Sequence, residues 1–198
     1  MSANPFPTPY PVTTAQLAYS NNFNLPLPGS MSDLMGGEDY VTGIMPAGNA
    51  VFGTIMVNDP TVALGSSIGG MGVDGQGVKY ATSQGDVTAG VAGLVVRTGA
   101  LETRRDTLPP SYGIAVPINL CRRGRPWTAS EVAVTKHDPV YVRITANGAL
   151  NTLGALRNDA DGGNAILVPG VKWYDTQPTA LANGLGYPAR VELALTAQ

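Results

Sequence analysis

The stretch that decides the fold runs from Gly85 to Thr145 and includes GDVTAGVAGLVVRTGA (85–100) and YGIAVPINLCRRGRPWTASEVAVTKHDPVYVRIT (112–145). It holds three apolar, β-branched runs: Ala92–Arg97, Tyr112–Leu120 and Val140–Ile144. Each is too short for a typical helix and rich in Val and Ile, so each is predicted to be a strand. Gly, Pro, Asp and Arg lie between them. His137-Asp138-Pro139 is a turn that feeds the third run, with Pro139 at a strand entrance where its missing N–H is tolerated. Asn147-Gly148 follows as a hairpin signal, because Asn and Gly both accept positive φ.

The same reading extends outward. Tyr40–Ile44 and Ala50–Val57 are predicted to form a hairpin around Pro46-Ala47-Gly48-Asn49, and Val78–Thr82 another strand. Ala165–Val168 and Val171–Thr176 flank Pro169-Gly170 as two strands. Val191–Leu195 closes the chain with Val191, Leu193 and Leu195 on one face, and Glu192 and Ala194 on the other. Many short strands with Gly/Pro turns imply an all-β fold, a compact β-barrel or β-sandwich (jelly-roll-like). Two parts are expected: an extended Pro-rich N-terminal arm, residues 1–35, and a β-rich core domain, residues 36–198, with a Gly-rich loop at 65–77. The first 30 residues carry six prolines, aromatics and no charge. Alternating proline forbids helix, so an extended segment that orders on a surface is expected.

Composition narrows the function. Of 198 residues only 13% are charged, about half the usual ~25%, which leaves neutral polar surface that is cheap to desolvate on association. Residues 1–78 contain five acids (Asp33, Glu38, Asp39, Asp59, Asp74) and no Lys or Arg, whereas all 12 basic residues lie beyond them. Cys121 is the only cysteine, so the fold uses no intrachain disulfide and no thiolate metal cluster. The start lacks the basic and apolar regions of a leader, and no apolar run is long enough to cross a membrane. Synthesis in the cytoplasm without membrane association is therefore expected.

Three motifs match catalytic or ligand-binding patterns in letters only. Gly65-Ser66-Ser67-Ile68-Gly69 fits G-x-S-x-G, but glycines rather than a helix follow, and the lone His137 would have to serve as base. Gly70-Met71-Gly72-Val73-Asp74-Gly75 fits G-x-G-x-x-G without the helix that would aim at a pyrophosphate. Asp159-Ala160-Asp161-Gly162 matches the start of a calcium loop, but loop position 12 is Gly170 rather than Glu. Turn chemistry explains it, with ion binding near Asp159 and Asp161 left open. No catalytic residue, metal site or cofactor is expected. The strongest charge features are Arg104-Arg105 and Arg122-Arg123-Gly124-Arg125, with Trp127 and Tyr112 nearby. These suit contacts with carboxylates of a neighbouring subunit, with phosphates, or a solvated turn.

The order of phrases carries a resemblance. AGVAGLVVR (89–97) precedes YGIAVPI (112–118) and a basic turn ending in Trp127. V-x-x-x-D-P-V-Y-V (134–142), NGAL (147–150) and VPGVKWYDT (168–176) follow. Over about residues 85–198 the chain resembles the structural cement, or head decoration, proteins of tailed bacteriophages. The resemblance implies a non-enzymatic virion protein on the capsid exterior. It would bridge neighbouring copies of the major capsid protein and act as a homotrimer. Composition then makes Phe6, Tyr10 and Phe23 in the arm, and Arg104, Arg105, Arg122, Arg123, Arg125 and Trp127 in the basic segment, the candidate subunit contacts. The rival is a β-barrel that binds single-stranded nucleic acid. The net charge of −2 and pI near 5.2 disfavour it, since nucleic-acid binders carry a basic footprint.

Overall fold

The computed structural model describes residues 28–31, 39–62, 67–68, 71–72, 76–97, 111–113, 116–150, 152–180 and 186–195. The strands of the first half are β1 (Asp39–Ile44), β2 (Ala50–Val51), β3 (Ile55–Asn58), β4 (Ser67–Ile68), β5 (Met71–Gly72), β6 (Gln76–Lys79) and β7 (Val91–Val96). Those of the second are β8 (Ser111–Tyr112), β9 (Pro117–Gly124), β10 (Trp127–Ser130), β11 (Pro139–Arg143), β12 (Leu156–Arg157), β13 (Ala165–Trp173) and β14 (Tyr187–Ala194). Among the described residues a short helix, α1 (Gln84–Ala89), and a 3-10 turn at Asp161–Gly163 interrupt them. The all-β expectation holds, and the strands close into barrels.

Ten strands form one sheet whose pairings close on themselves twice. In the first ring β1 pairs β6, then β3, β7 and β9 follow, and β9 pairs back to β1. In the second, β14 is followed by β10, β12, β11 and β13, and β13 pairs back to β14. The rings join where β9 meets β14, Gly124 opposite Leu193 and Arg123 opposite Ala194. Each ring has one parallel pair, β1–β6 in the first and β10–β12 in the second.

Two hydrophobic clusters fill this frame. Met56, Val78, Val95, Ile118 and Leu120 pack with Phe52 and Tyr112 in the first ring. The larger cluster unites both rings: Ile55, Val57, Leu94, Val96 and Cys121 from the first pack with Val140, Val142, Leu156, Trp173, Val191 and Leu193 of the second. Strands β3 and β7 are buried on both faces. That explains their continuous apolar runs, which a half-exposed strand would not carry.

Several local readings change. β1 pairs β9 and β6 rather than the run after it, so the expected 40–57 hairpin does not form. Gly53 breaks that run into β2, which pairs β8, and β3, which pairs β7. β13 is one nine-residue strand that bends at Pro169-Gly170. Its first half pairs β11 alone, and its second half pairs β14 while Lys172 still lies opposite Pro139 of β11. The Asn147–Leu150 turn is centred on Gly148 and Ala149, with Asn147 bridged to Leu150. The basic stretch 122–127 is the end of β9, a two-residue turn and the start of β10. Helix α1 starts from a reciprocal cap: Ser83 Oγ accepts the Asp86 N–H at 3.2 Å, and Asp86 Oδ2 accepts from Thr82 N at 2.9 Å. The Asp86 carboxyl lies far below its ordinary range, first because Lys79 bonds it and then because Thr82 does.

Most of the residues expected to form an arm, including Phe6, Tyr10 and Phe23, lie outside the described residues. Residues 28–31 are sewn into the seam between the rings. Gly29 N–H donates to Trp127 O at 2.7 Å, Arg97 N–H to Gly29 O at 2.8 Å, and Trp127 N–H to Ser30 O at 2.7 Å. Thr128 Oγ1 crosses the same seam to Gly53 O at 2.6 Å. Gly154 ties the rings on another side: its carbonyl accepts Ile55 N–H at 2.9 Å, and its φ is +78°. A Cβ there would stand 2.7 Å from the Tyr80 ring and 2.8 Å from Ile55 O. Gly154→Ala is therefore expected to cost roughly 1–3 kcal/mol from backbone strain, with the clash adding to it. Urea denaturation of both proteins measures the difference.

Candidate functional site

The outward face where β10, β14 and the end of β13 run side by side carries a ladder of rings and cations. Alternation along β14 sends Val191 and Leu193 inward and Arg190 and Glu192 outward, and Trp127 stands opposite Arg190. The Arg190 guanidinium lies 5.2 Å from the Trp127 ring centroid and 4.8 Å from that of Tyr174. Arg125 covers Tyr174 at 4.2 Å, and Lys136 approaches it at 5.2 Å. Two carboxylates fix the guanidiniums. Arg190 holds Asp175 as a two-pronged fork, Nε to Oδ2 at 2.9 Å and Nη2 to Oδ1 at 2.8 Å. Arg125 Nη2 reaches Glu192 Oε1 at 3.1 Å. Trp, Tyr and Arg are the residue types that dominate binding energy at protein interfaces.

Partial burial opposes ionisation of Asp175, but the Arg190 side-chain and main-chain hydrogen bonds outweigh it and hold the carboxyl below its ordinary range. The two guanidiniums are held by carboxylates of the same face, so the patch is a stacking surface more than a field of positive charge.

A second cluster sits at one end of the second ring. Arg143 is fully buried and forks onto Glu131, Nε to Oε1 at 2.6 Å and Nη2 to Oε2 at 2.7 Å. Arg157 Nη1 reaches Glu131 at 3.3 Å and Asp161 at 3.0 Å, while its Nε holds Asp159 at 2.7 Å. Asp161 Oδ2 also accepts from Arg143 at 2.9 Å and from the Asn147 amide at 3.1 Å. The Asn147 hydrogen bond, then Arg143, holds the Asp161 carboxyl below its ordinary range. Asp159 and Asp161 thus face guanidiniums, which displaces the calcium-loop reading. Among the described residues no group of three or more His, Cys, Asp and Glu side chains is placed to hold a metal.

Of the residues singled out from sequence, the structure brings Arg125 and Trp127 together on the ladder face. Arg123 is exposed opposite Ala194 of β14, and Arg122 is half-buried with its carbonyl accepting Leu195 N–H at 3.1 Å. Arg104 and Arg105 lie outside the described residues. Lys136, Tyr174, Asp175, Arg190 and Glu192 escaped the sequence reading because they are far apart along the chain. The alternation of β14, which was legible, is the signal that points Arg190 outward. Ser67 lies on β4, and β5 follows it, so no strand–turn–helix elbow surrounds that serine. His137 is exposed in a turn at φ 73°. No helix among the described residues is long and apolar enough to cross a membrane.

Residues 15–192 match the model of a phage family described as structural cement protein (E217 gp24/Pam3 gp6). Among solved structures, a chain of "The capsid of Myoviridae Phage XM1" has the same fold, with a TM-score of 0.56 at 14% identity. The likeness covers 84% of this chain and 88% of that one. No curated protein sequence matches the chain.

Glu131→Gln is expected to lower stability by about 3 kcal/mol, because it removes the carboxylate that buried Arg143 grips two-pronged and leaves it Asp161 alone as an ionic partner. Chemical denaturation at neutral pH checks this. Asp161 and Asp175 have depressed carboxyl pKa values, so their stabilisation is fully present above the unfolded value near pH ~4 and is lost as pH falls through the lower folded values. The melting temperature should therefore hold down to about pH 5 and fall below about pH 4. Asp175→Asn should flatten that fall. Thermal scans across pH test both statements.

Proposed function

Because the chain belongs to the phage structural cement protein family, we propose that it binds the outer surface of an assembled capsid and cements neighbouring major capsid subunits. The family match over residues 15–192 carries the reading. In this reading the protein is made in the host cytoplasm, resides on the virion exterior and performs no chemistry. Residues 36–198 are the docking body, residues 1–35 are an arm anchored in that body through residues 28–31 with the part before them laid on the shell, and three copies act together. The aromatic–arginine ladder of Trp127, Arg190, Tyr174 and Arg125 is a contact surface of that body. Single-stranded nucleic acid is the poorer partner, since Arg125 and Arg190 already hold Glu192 and Asp175.

Purified shells that lack this protein provide the test. The double variant Trp127→Ala, Tyr174→Ala should fold and bind shells at least ~30-fold more weakly, the loss expected when an interface hot spot worth about 2 kcal/mol is removed. Ser67→Ala and His137→Ala should bind like the unaltered protein. Co-sedimentation gives the affinities, and a cryo-EM map of decorated shells gives the copy number at each site. Failure of the unaltered protein to bind any shell surface would overturn the proposal. Undiminished binding by the double variant would move the contact elsewhere on the body.

A further inference from the structure

The Asn147-Gly148 turn is taken up neither by the core nor by the ladder. Both residues are exposed, at the tip of the connection between β11 and β12. Gly148 has φ +60°, and nothing lies within 4 Å of where its Cβ would be. The chain at Gly148 is thus exposed, with no neighbour crowding the side on which a Cβ would stand. The neighbouring Asn147 amide, by contrast, is employed: its Nδ2 donates to Asp161 Oδ2 at 3.1 Å.

We infer that Asn147-Gly148 is a site of spontaneous deamidation, and that the change loosens the Arg143–Glu131–Arg157–Asp161 cluster behind it. The chemistry needs only water and base. The Gly148 nitrogen loses its proton and attacks Asn147 Cγ. A new C–N bond forms, the Cγ–Nδ2 bond breaks, and ammonia leaves with a proton taken from solvent. Water then opens the cyclic imide at either carbonyl. The products are aspartate, or isoaspartate with the main chain rerouted through Cγ. Neither product is an oxidation or a reduction.

The product is what matters structurally. An amide that donated to Asp161 becomes a carboxylate that only accepts. The cluster already sets two guanidiniums, Arg143 and Arg157, against three carboxylates, Glu131, Asp159 and Asp161. A fourth carboxylate in contact with Asp161 repels it. The Asp161-Gly162 pair, also in a turn, offers a contrast. Its carboxylate is held ionised between the two arginines, and an ionised carboxylate is a poor target for the same attack.

The test ages the full-length protein, folded and in urea, in mildly alkaline buffer. Trypsin then releases residues 144–157, cut after Arg143 and Arg157. Mass spectrometry and an isoaspartate-specific assay are expected to show conversion at Asn147 in the folded protein, and none at that position in Asn147→Gln. Asn147 intact in the folded protein while it converts in urea would overturn the assignment. Asn147→Asp should melt at a lower temperature than the unaltered protein. An unchanged or higher melting temperature would break the link to Asp161. Both readouts are independent of shell binding, so they stand or fall apart from the proposed function.

Discussion

Five strands cannot close a ring with every neighbour antiparallel, because directions that alternate around an odd cycle must meet a like direction once. Each ring here meets that constraint with a single parallel pair, and a parallel pair needs a long crossover. In the first ring the chain from β1 to β6 passes through β2, β3 and the β4–β5 ladder. In the second, the path from β10 to β12 contains β11 and the Asn147 turn. The two rings secure the joint differently. β1 and β6 meet at Gly43, Ile44, Gln76 and Gly77. There a Cβ on Gly43 would strike Leu120 and Val78, and one on Gly77 would strike Val62. The joint is secured by side chains that pack directly onto the two glycines.

β10 and β12 have one register pair, Ser130 with Leu156, supplemented by Glu131 N–H donating to Leu156 O at 2.9 Å. The next residues along each strand are Glu131 and Arg157, two members of the buried charge cluster. The cluster therefore stands at the narrowest closure of the second ring and reaches across to β11 through Arg143. Buried ion pairs are poor sources of net stability when compared with apolar packing, but they penalise any arrangement that separates the partners. At a joint with one register pair, that penalty is what fixes which strand lies beside which.

Much of this was legible residue by residue and little of it pair by pair. Val- and Ile-rich runs marked β7 and β11, and the inward-outward alternation of Val191, Glu192 and Leu193 held in β14. The partnership of β1 with β9 was not legible, since Tyr40 and Cys121 are remote in sequence and no local turn specifies them. Helix α1 escaped notice because Gly85 and Thr88 are weak helix formers and only the Ser83–Asp86 cap signals it. The basic stretch looked like a turn because charges cluster there. In the fold its residues are shared between two strands, and Arg125 turns onto Tyr174, a ring nearly fifty residues away. Asp159 and Asp161 looked like ligands because nothing local showed the arginines that meet them.

The same strand serves the interior and the exterior. Inside, β14 contributes Val191 and Leu193 to the cluster that unites the rings; outside, it holds Arg190 between two aromatic rings. A rigid interior thus sets a rigid exterior. Long side chains usually lose rotamer freedom when a partner arrives, at about 0.5–1.5 kcal/mol each. On this face the loss has occurred on folding, because Asp175 and Glu192 already hold Arg190 and Arg125. The same pairing weakens the long-range pull of the cations, so the proposed contact through the ladder would rest on shape and stacking, with less dependence on salt than a field of open arginines would show. A protein that acts only by staying bound gains from that arrangement, since occupancy under changing ionic conditions is the whole of the proposed function.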